Sequence, residues 1–116
     1  MISFRLKGME QLEKRLKSMP KRVQDEMGRA MRDEAVAVLA KAQESVPYDT
    51  GYLMSTGDVR DVRVNQHRTD IDVGYTAPYA IYVHSRFPWL LRAFQERANG
   101  FARRIADRLS KAMEKR

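Results

Sequence analysis

The sequence predicts an α+β fold: a long N-terminal helix, a central antiparallel β-hairpin or small sheet, and a long C-terminal helix. Three observations carry this. Apolar residues recur at gaps of mostly three and four from Met9 to Val46, which is the period of one helix face. Between Val59 and Val73, apolar residues stand among Asp, Arg and Thr, and Ile71 and Val73 alternate with Asp70 and Asp72, which is the period of a strand. From Trp89 the helical period returns and holds to Met113. At 116 residues the chain is expected to be one domain spanning 1–116.

In order, Ile2, Phe4 and Leu6 alternate with Ser3, Arg5 and Lys7, a short strand that Gly8 ends. Whether it pairs within the subunit or with a neighbour is left open. The stripe Met9, Leu12, Leu16, Met19, Val23, Met27, Ala30, Met31, Ala35, Val38, Leu39, Ala42 gives a short helix over about 9–18 and a long one over about 20–45. Pro20 divides them, since proline is tolerated in a first turn and not inside a helix. Pro47 stops the long helix, and Asp49-Thr50-Gly51 forms a turn. A hairpin follows, with strands near 56–64 and 69–75. Ala77-Pro78 restarts the chain, and Tyr79, Ile81, Tyr82 and Val83 form a short helix with Pro78 in its first turn or, as the alternative, a continuing strand; the helix is favoured. The last helix runs through Leu90, Phe94, Phe101, Ile105 and Leu109, with Gly100 a weak point of roughly 1 kcal/mol relative to alanine.

The net charge is +7 and unevenly placed: residues 1–45 carry +3, residues 46–85 carry −2 and residues 86–116 carry +6. A basic end attracts nucleic acid or acidic protein surfaces, or serves as a solvated helix face. Arg97, Arg103, Arg104, Arg108 and Lys111 are the candidates for contact with DNA or an acidic partner. No apolar run approaches the roughly 18 residues of a membrane span. With no cysteine there is no disulfide framework and no thiolate chemistry.

Asp49-Thr50-Gly51 matches the tripeptide of aspartic proteases. That chemistry needs two carboxylates sharing a proton across a dimer in an all-β setting, whereas a long helix leads into Asp49. A remote dimeric-protease reading therefore gives way to Asp49 and Thr50 bonding local backbone in a turn. His67 and His84 lack the closely spaced partners of a zinc site. No phosphate loop or nucleophile elbow is present, so no catalytic residue, metal or cofactor is expected. Tyr75, Tyr79, Tyr82, Phe87 and Trp89 form the densest aromatic group. They either cap a small core or present a partner surface of the kind rich in Tyr, Trp and Arg.

Val46-Pro47-Tyr48-Asp49-Thr50-Gly51-Tyr52-Leu53 resembles the V-P-x-D-T-G-x-L element of the small neck, or tail-completion, proteins of long-tailed double-stranded DNA bacteriophages. Tyr75-Thr76-Ala77-Pro78-Tyr79-Ala80-Ile81-Tyr82-Val83 is similar to that family's Y-x-A-P-Y-A-x-Y-V element, and Phe87-Pro88-Trp89-Leu90-Leu91 to the opening of its last helix. The chain departs from the family after Val83, where His84-Ser85-Arg86 replaces an acidic residue, an aromatic, Gly and Thr. The resemblance implies a non-enzymatic head–tail joining protein, also named a minor capsid or tail component. It implies a homo-oligomeric ring beside connector, head-closure and tail proteins, with DNA passing through, located in the virion and assembled in the host cytoplasm. Pro47, Asp49, Thr50, Gly51, Ala77 and Pro78 would then be structural corners. A free nucleic-acid-binding protein, from the basic pI of about 10.0, is the alternative.

Overall fold

The computed structural model describes residues 1–7, 14–15, 17–48, 50–64 and 69–114. The described elements are β1 (Ile2–Leu6), α1 (Lys21–Gln43), α2 (Tyr52–Ser55), β2 (Gly57–Val64), β3 (Thr69–Tyr75), α3 (Ala80–Arg86), α4 (Trp89–Ala98) and α5 (Phe101–Glu114). The helix expected over 9–18 falls largely outside the described residues, as do Asp49 and His67.

The sheet is antiparallel in the order β1-β3-β2. β1 pairs within the chain, Phe4 opposite Val73 and Leu6 opposite Ile71, which answers the question its sequence left open. The alternation then does its work. Ile71, Val73 and Tyr75 are buried on one face. Arg5 and Asp72 are cross-strand partners and bond at 2.9 Å in the exposed setting of the other. A half-wet antiparallel sheet of this kind needs only one covering layer. The register slips between Asp61 and Arg63. That bulge turns Val62 outward, 43% exposed, although its sequence position reads as a member of the apolar set.

α1 supplies the cover. Pro20 precedes its first turn and Val46 N–H donates to Ala42 C=O at its end, after which Pro47 allows no continuation. Its buried face is Val23, Met27, Ala30, Met31, Glu34, Ala35, Val38 and Ala42. The alanines are strong helix formers, and their small side chains let the sheet and α4 approach closely. α1 packs on β3, α4, α5 and β2, so it is the axle of the molecule.

The C-terminal helical segment is present and jointed. α4 stops at Ala98, and Gly100 takes φ +80° before α5 begins. A left-handed glycine after a helix end is the usual stop, so Gly100 is a break between two helices rather than a weak point inside one.

Candidate protein-interaction surface

The two motif corners meet in space. At the first, Gly51 takes φ 85° and Thr50 Oγ1 accepts from Tyr52 N–H at 3.3 Å, which opens the single turn of α2. At the second, Ala77 is fully buried and its N–H donates to Thr56 Oγ1 at 3.2 Å. Thr56 Oγ1 in turn donates to Leu53 C=O at 2.9 Å. Thr56 therefore pins the second corner to the first.

Beneath them lies a polar strut. Tyr75 O–H donates to Gln43 Oε1 at 2.6 Å, and Gln43 Nε2 donates to Met54 C=O at 3.0 Å. Burial pushes the Tyr75 phenol up to about 12, so it remains a donor across the ordinary pH range. Trp89 meets Tyr75 edge-on at 5.3 Å and His84 edge-on at 5.0 Å, the arrangement aromatic quadrupoles favour. His84 Nε2 accepts from Leu91 N–H at 3.2 Å, one of the free amides of the first turn of α4. An accepting Nε2 carries no proton, so the imidazole is neutral. Burial lowers its pKa in the same sense.

Over this base the corners raise an apolar surface. Pro47, Tyr48, Thr50, Gly51, Leu53, Tyr79 and Val83 line a shallow cleft of about 270 Å³. Pro47 is also a wall of an open cleft of about 540 Å³ with Phe87 and Arg92. The rings of Tyr52 and Tyr79 lie 6.1 Å apart. Pro47 thus joins two groups into one face. Tyr48, Tyr52, Tyr79 and Phe87 are between 41% and 72% exposed on it, and Ile81 and Tyr82 of α3 are 54% and 75% exposed.

Two aromatics expected at a partner surface are elsewhere. Tyr75 and Trp89 are core residues, 0% and 2% exposed, because the strand alternation and the first turn of α4 both point inward. Tyr79, Tyr82 and Phe87 are exposed. Tyr48 and Tyr52 were not singled out by sequence, yet they extend the same face. Their signal was proximity to the Pro47–Gly51 turn, where side chains leave the core. Pro78 is exposed and Pro47 half-buried.

The basic set divides in the same way. Arg97 Nη2 donates to Glu34 Oε2 at 2.9 Å, and Arg104 also bonds both Glu34 oxygens. Arg108 pairs with Glu26 and Asp33. These three arginines hold α4 and α5 to α1 and are not offered outward as free cations. Arg103 and Lys111 are exposed. Burial pushes the Glu34 carboxyl up, but Arg104 and Arg97 together outweigh it and hold its pKa below the usual value. Glu34 was not singled out by sequence either, since it reads as one more charge on a helix.

Among the described residues no group of three or more His, Cys, Asp or Glu side chains is placed to hold a metal ion, and no helix is long and apolar enough to cross a membrane. What the surface offers chemically is a preformed, ring-rich face from which a complementary protein would displace water.

Residues 10–84 match the family described as "Bacteriophage HK97-gp10, putative tail-component". The match takes in α1, both corners, the hairpin and most of α3, and stops before α4. Neither a curated protein nor a solved structure matches the chain. With nearly two thirds of its length inside that match, and both motif corners with it, the chain belongs to the HK97-gp10-like family of bacteriophage proteins, a family described as a tail component.

Proposed function

We propose that the protein is a non-enzymatic structural subunit of the neck of a long-tailed phage. In this reading it is a tail-completion component, assembled as a homo-oligomeric ring at the head–tail junction around the channel through which DNA leaves the head. It meets adjacent connector or head-closure rings on one side and tail proteins on the other. Assembly takes place in the host cytoplasm.

The observation that carries this reading is the exposed aromatic surface raised by the two motif corners. An apolar face of this extent marks a site that a partner covers. The corners beneath it are fixed by Gly51, Thr56 and the Tyr75–Gln43 strut. Little conformational freedom is then lost when the face is covered, which favours association. Membership of a tail-component family supports partners of the kind a virion supplies.

The test is a phage in which the gene is disrupted. The expected result is DNA-filled heads and separate, complete tails that do not join. A density map of the intact particle should place a ring of this chain between portal and tail tube. Normal particles without the gene, or density at the tail tip alone, would overturn the neck assignment.

A further inference from the structure

We infer that Lys14, Arg15, Lys17 and Lys21, with Arg22 at their base, form a contact surface for the phosphate backbone of duplex DNA. This goes beyond the assembly reading above and does not depend on it.

Positive charge is concentrated here. Residues 14–22 carry five Lys or Arg and no Asp or Glu, with Glu13 and Asp25 the nearest carboxylates in sequence. Residues 1–45 as a whole carry only +3, because their carboxylates gather elsewhere. All five basic side chains are exposed. None has a carboxylate partner among the described residues, and Arg22 donates to the Ala112 and Met113 carbonyls, which leaves its charge unneutralised. The body of α1 differs. There Asp25, Glu26, Arg29, Arg32 and Asp33 interleave both signs, Arg29 pairs with Glu26, and Arg32 pairs with Asp61. Interleaved and paired charge is the pattern of a solvated helix face, and the run before it lacks that pattern.

The run also stands where fold stability disfavours it. Lys21 and Arg22 open α1, whose first turn holds no acidic residue and whose Pro20 cap makes no side-chain bond. The helix dipole opposes cations at this end and favours acids. A purely structural surface gains nothing from such an arrangement. A polyanion laid on the run relieves it, since its phosphates meet the cations and the positive end of the helix together.

Composition selects the polyanion. The cores of protein interfaces are depleted in lysine and enriched in rings, whereas residues 14–22 hold three lysines and no aromatic residue. The lack of rings also removes the stacking platforms that hold single strands. What remains is a set of point charges suited to sequence-independent contact with a duplex backbone. Nine residues reach at most about 30 Å when extended, so the five charges fall within one duplex turn of roughly 34–36 Å.

The experiment is fluorescence anisotropy of a labelled, random-sequence duplex with the full chain, over about 50–200 mM salt. Thermal melts check that each variant is folded. Wild type should bind with a log–log salt slope of about −4 or steeper. Lys14→Ala, Lys17→Ala and Lys21→Ala combined should weaken binding about tenfold or more at about 50 mM salt and flatten the slope by about 2–3. The comparison chain carries Arg60→Ala, Arg86→Ala and Arg92→Ala, which removes the same net charge from exposed positions elsewhere. Its slope should change by less than about 1. Lys21→Glu should melt no lower than wild type yet bind about threefold or more weakly, because the dipole favours the acid and the phosphates do not. Unchanged duplex binding by the lysine triple would overturn the inference. So would equal losses in the two triples, since net charge alone would then account for both. Absence of duplex binding at about 50 mM salt would overturn it as well. Tighter binding of poly-glutamate than of duplex would overturn it in favour of an acidic protein surface. None of these results touches the neck reading, which falls only if particle density at the junction lacks the chain.

Discussion

Glu34 sits where three helices meet. A carboxylate this deeply buried is costly unless paired, and here two guanidiniums reach it, Arg97 from α4 and Arg104 from α5. The two arginines are each about a third exposed, so solvent screens part of the attraction. Glu34→Gln should cost about 2 kcal/mol in chemical denaturation, below the roughly 3–5 kcal/mol of a fully buried broken pair. The pKa of Glu34 is held low in the folded state, with the Arg104 and Arg97 contacts outweighing burial. Its contribution is therefore complete above the unfolded carboxylate value near 4.3 and is lost as pH falls through the depressed folded value. Glu26 acts in the same direction, burial being outweighed by Arg108 and Arg29. The urea midpoint should drop from pH 5 to pH 3, and drop less in Glu34→Gln. His84 titrates in a higher window. Its folded pKa is below the ordinary value through burial, so the unfolded chain binds its proton first. Stability is complete above about 6.5 and declines as pH falls below it. An NMR titration should give His84 a midpoint below 6.5, and a midpoint above that value would contradict the Leu91 cap.

Among the elements, the joint between α4 and α5 is built by one side chain and one glycine. Arg104 donates to the carbonyls of Arg97 and Asn99 while it holds Glu34. Arg22 donates to the Ala112 and Met113 carbonyls at the far end of α5, where a cation also complements the helix dipole. α5 is thus fastened at both ends, with Ile105 and Leu109 buried between them. Gly100→Ala should cost about 1–2 kcal/mol, the penalty for a side chain in the left-handed region, read as a lowered melting temperature. An unchanged melt would mean the joint does not need its positive φ. In the sheet, the bulge makes a contrast between two valines. Val73 is 0% exposed at the centre of β3, and Val73→Ala should cost about 2 kcal/mol or more. Val62→Ser, on the outward bulge, should stay within about 0.5 kcal/mol of wild type.

At the scale of the molecule, net charge and usable charge differ. The chain carries +7, but Arg97, Arg104 and Arg108 of its basic C-terminal end are matched to Glu26, Asp33 and Glu34 on α1. Of the five cations expected to face DNA or an acidic partner, Arg103 and Lys111 are the exposed ones. DNA binding through this set should therefore be weak, contributing about −2 to the log–log salt slope. Arg103→Ala with Lys111→Ala should remove most of it. An unchanged slope in that double variant would mean that other exposed cations carry the contact.

By itself the sequence determined α1, the three strands, α3 and the C-terminal helical stretch, but not the single turn of α2, because periods of 3.6 and 2 are local properties of side-chain spacing that four residues are too few to show. It placed the ends of α1 at Pro20 and Pro47, since a missing N–H and a fixed φ act within one turn. The corner residues that resemble the phage family were also legible, being short and contiguous. Only the tertiary structure decided which aromatics are surface. Tyr75 and Tyr79 are four residues apart, yet one is sealed under Trp89 and the other faces water, because burial depends on what packs from elsewhere in the chain. The pairing of Glu34 with Arg97 and Arg104 spans more than sixty residues, and no local pattern announces it. The bulge that exposes Val62 is a property of two strands in register and cannot be read from one.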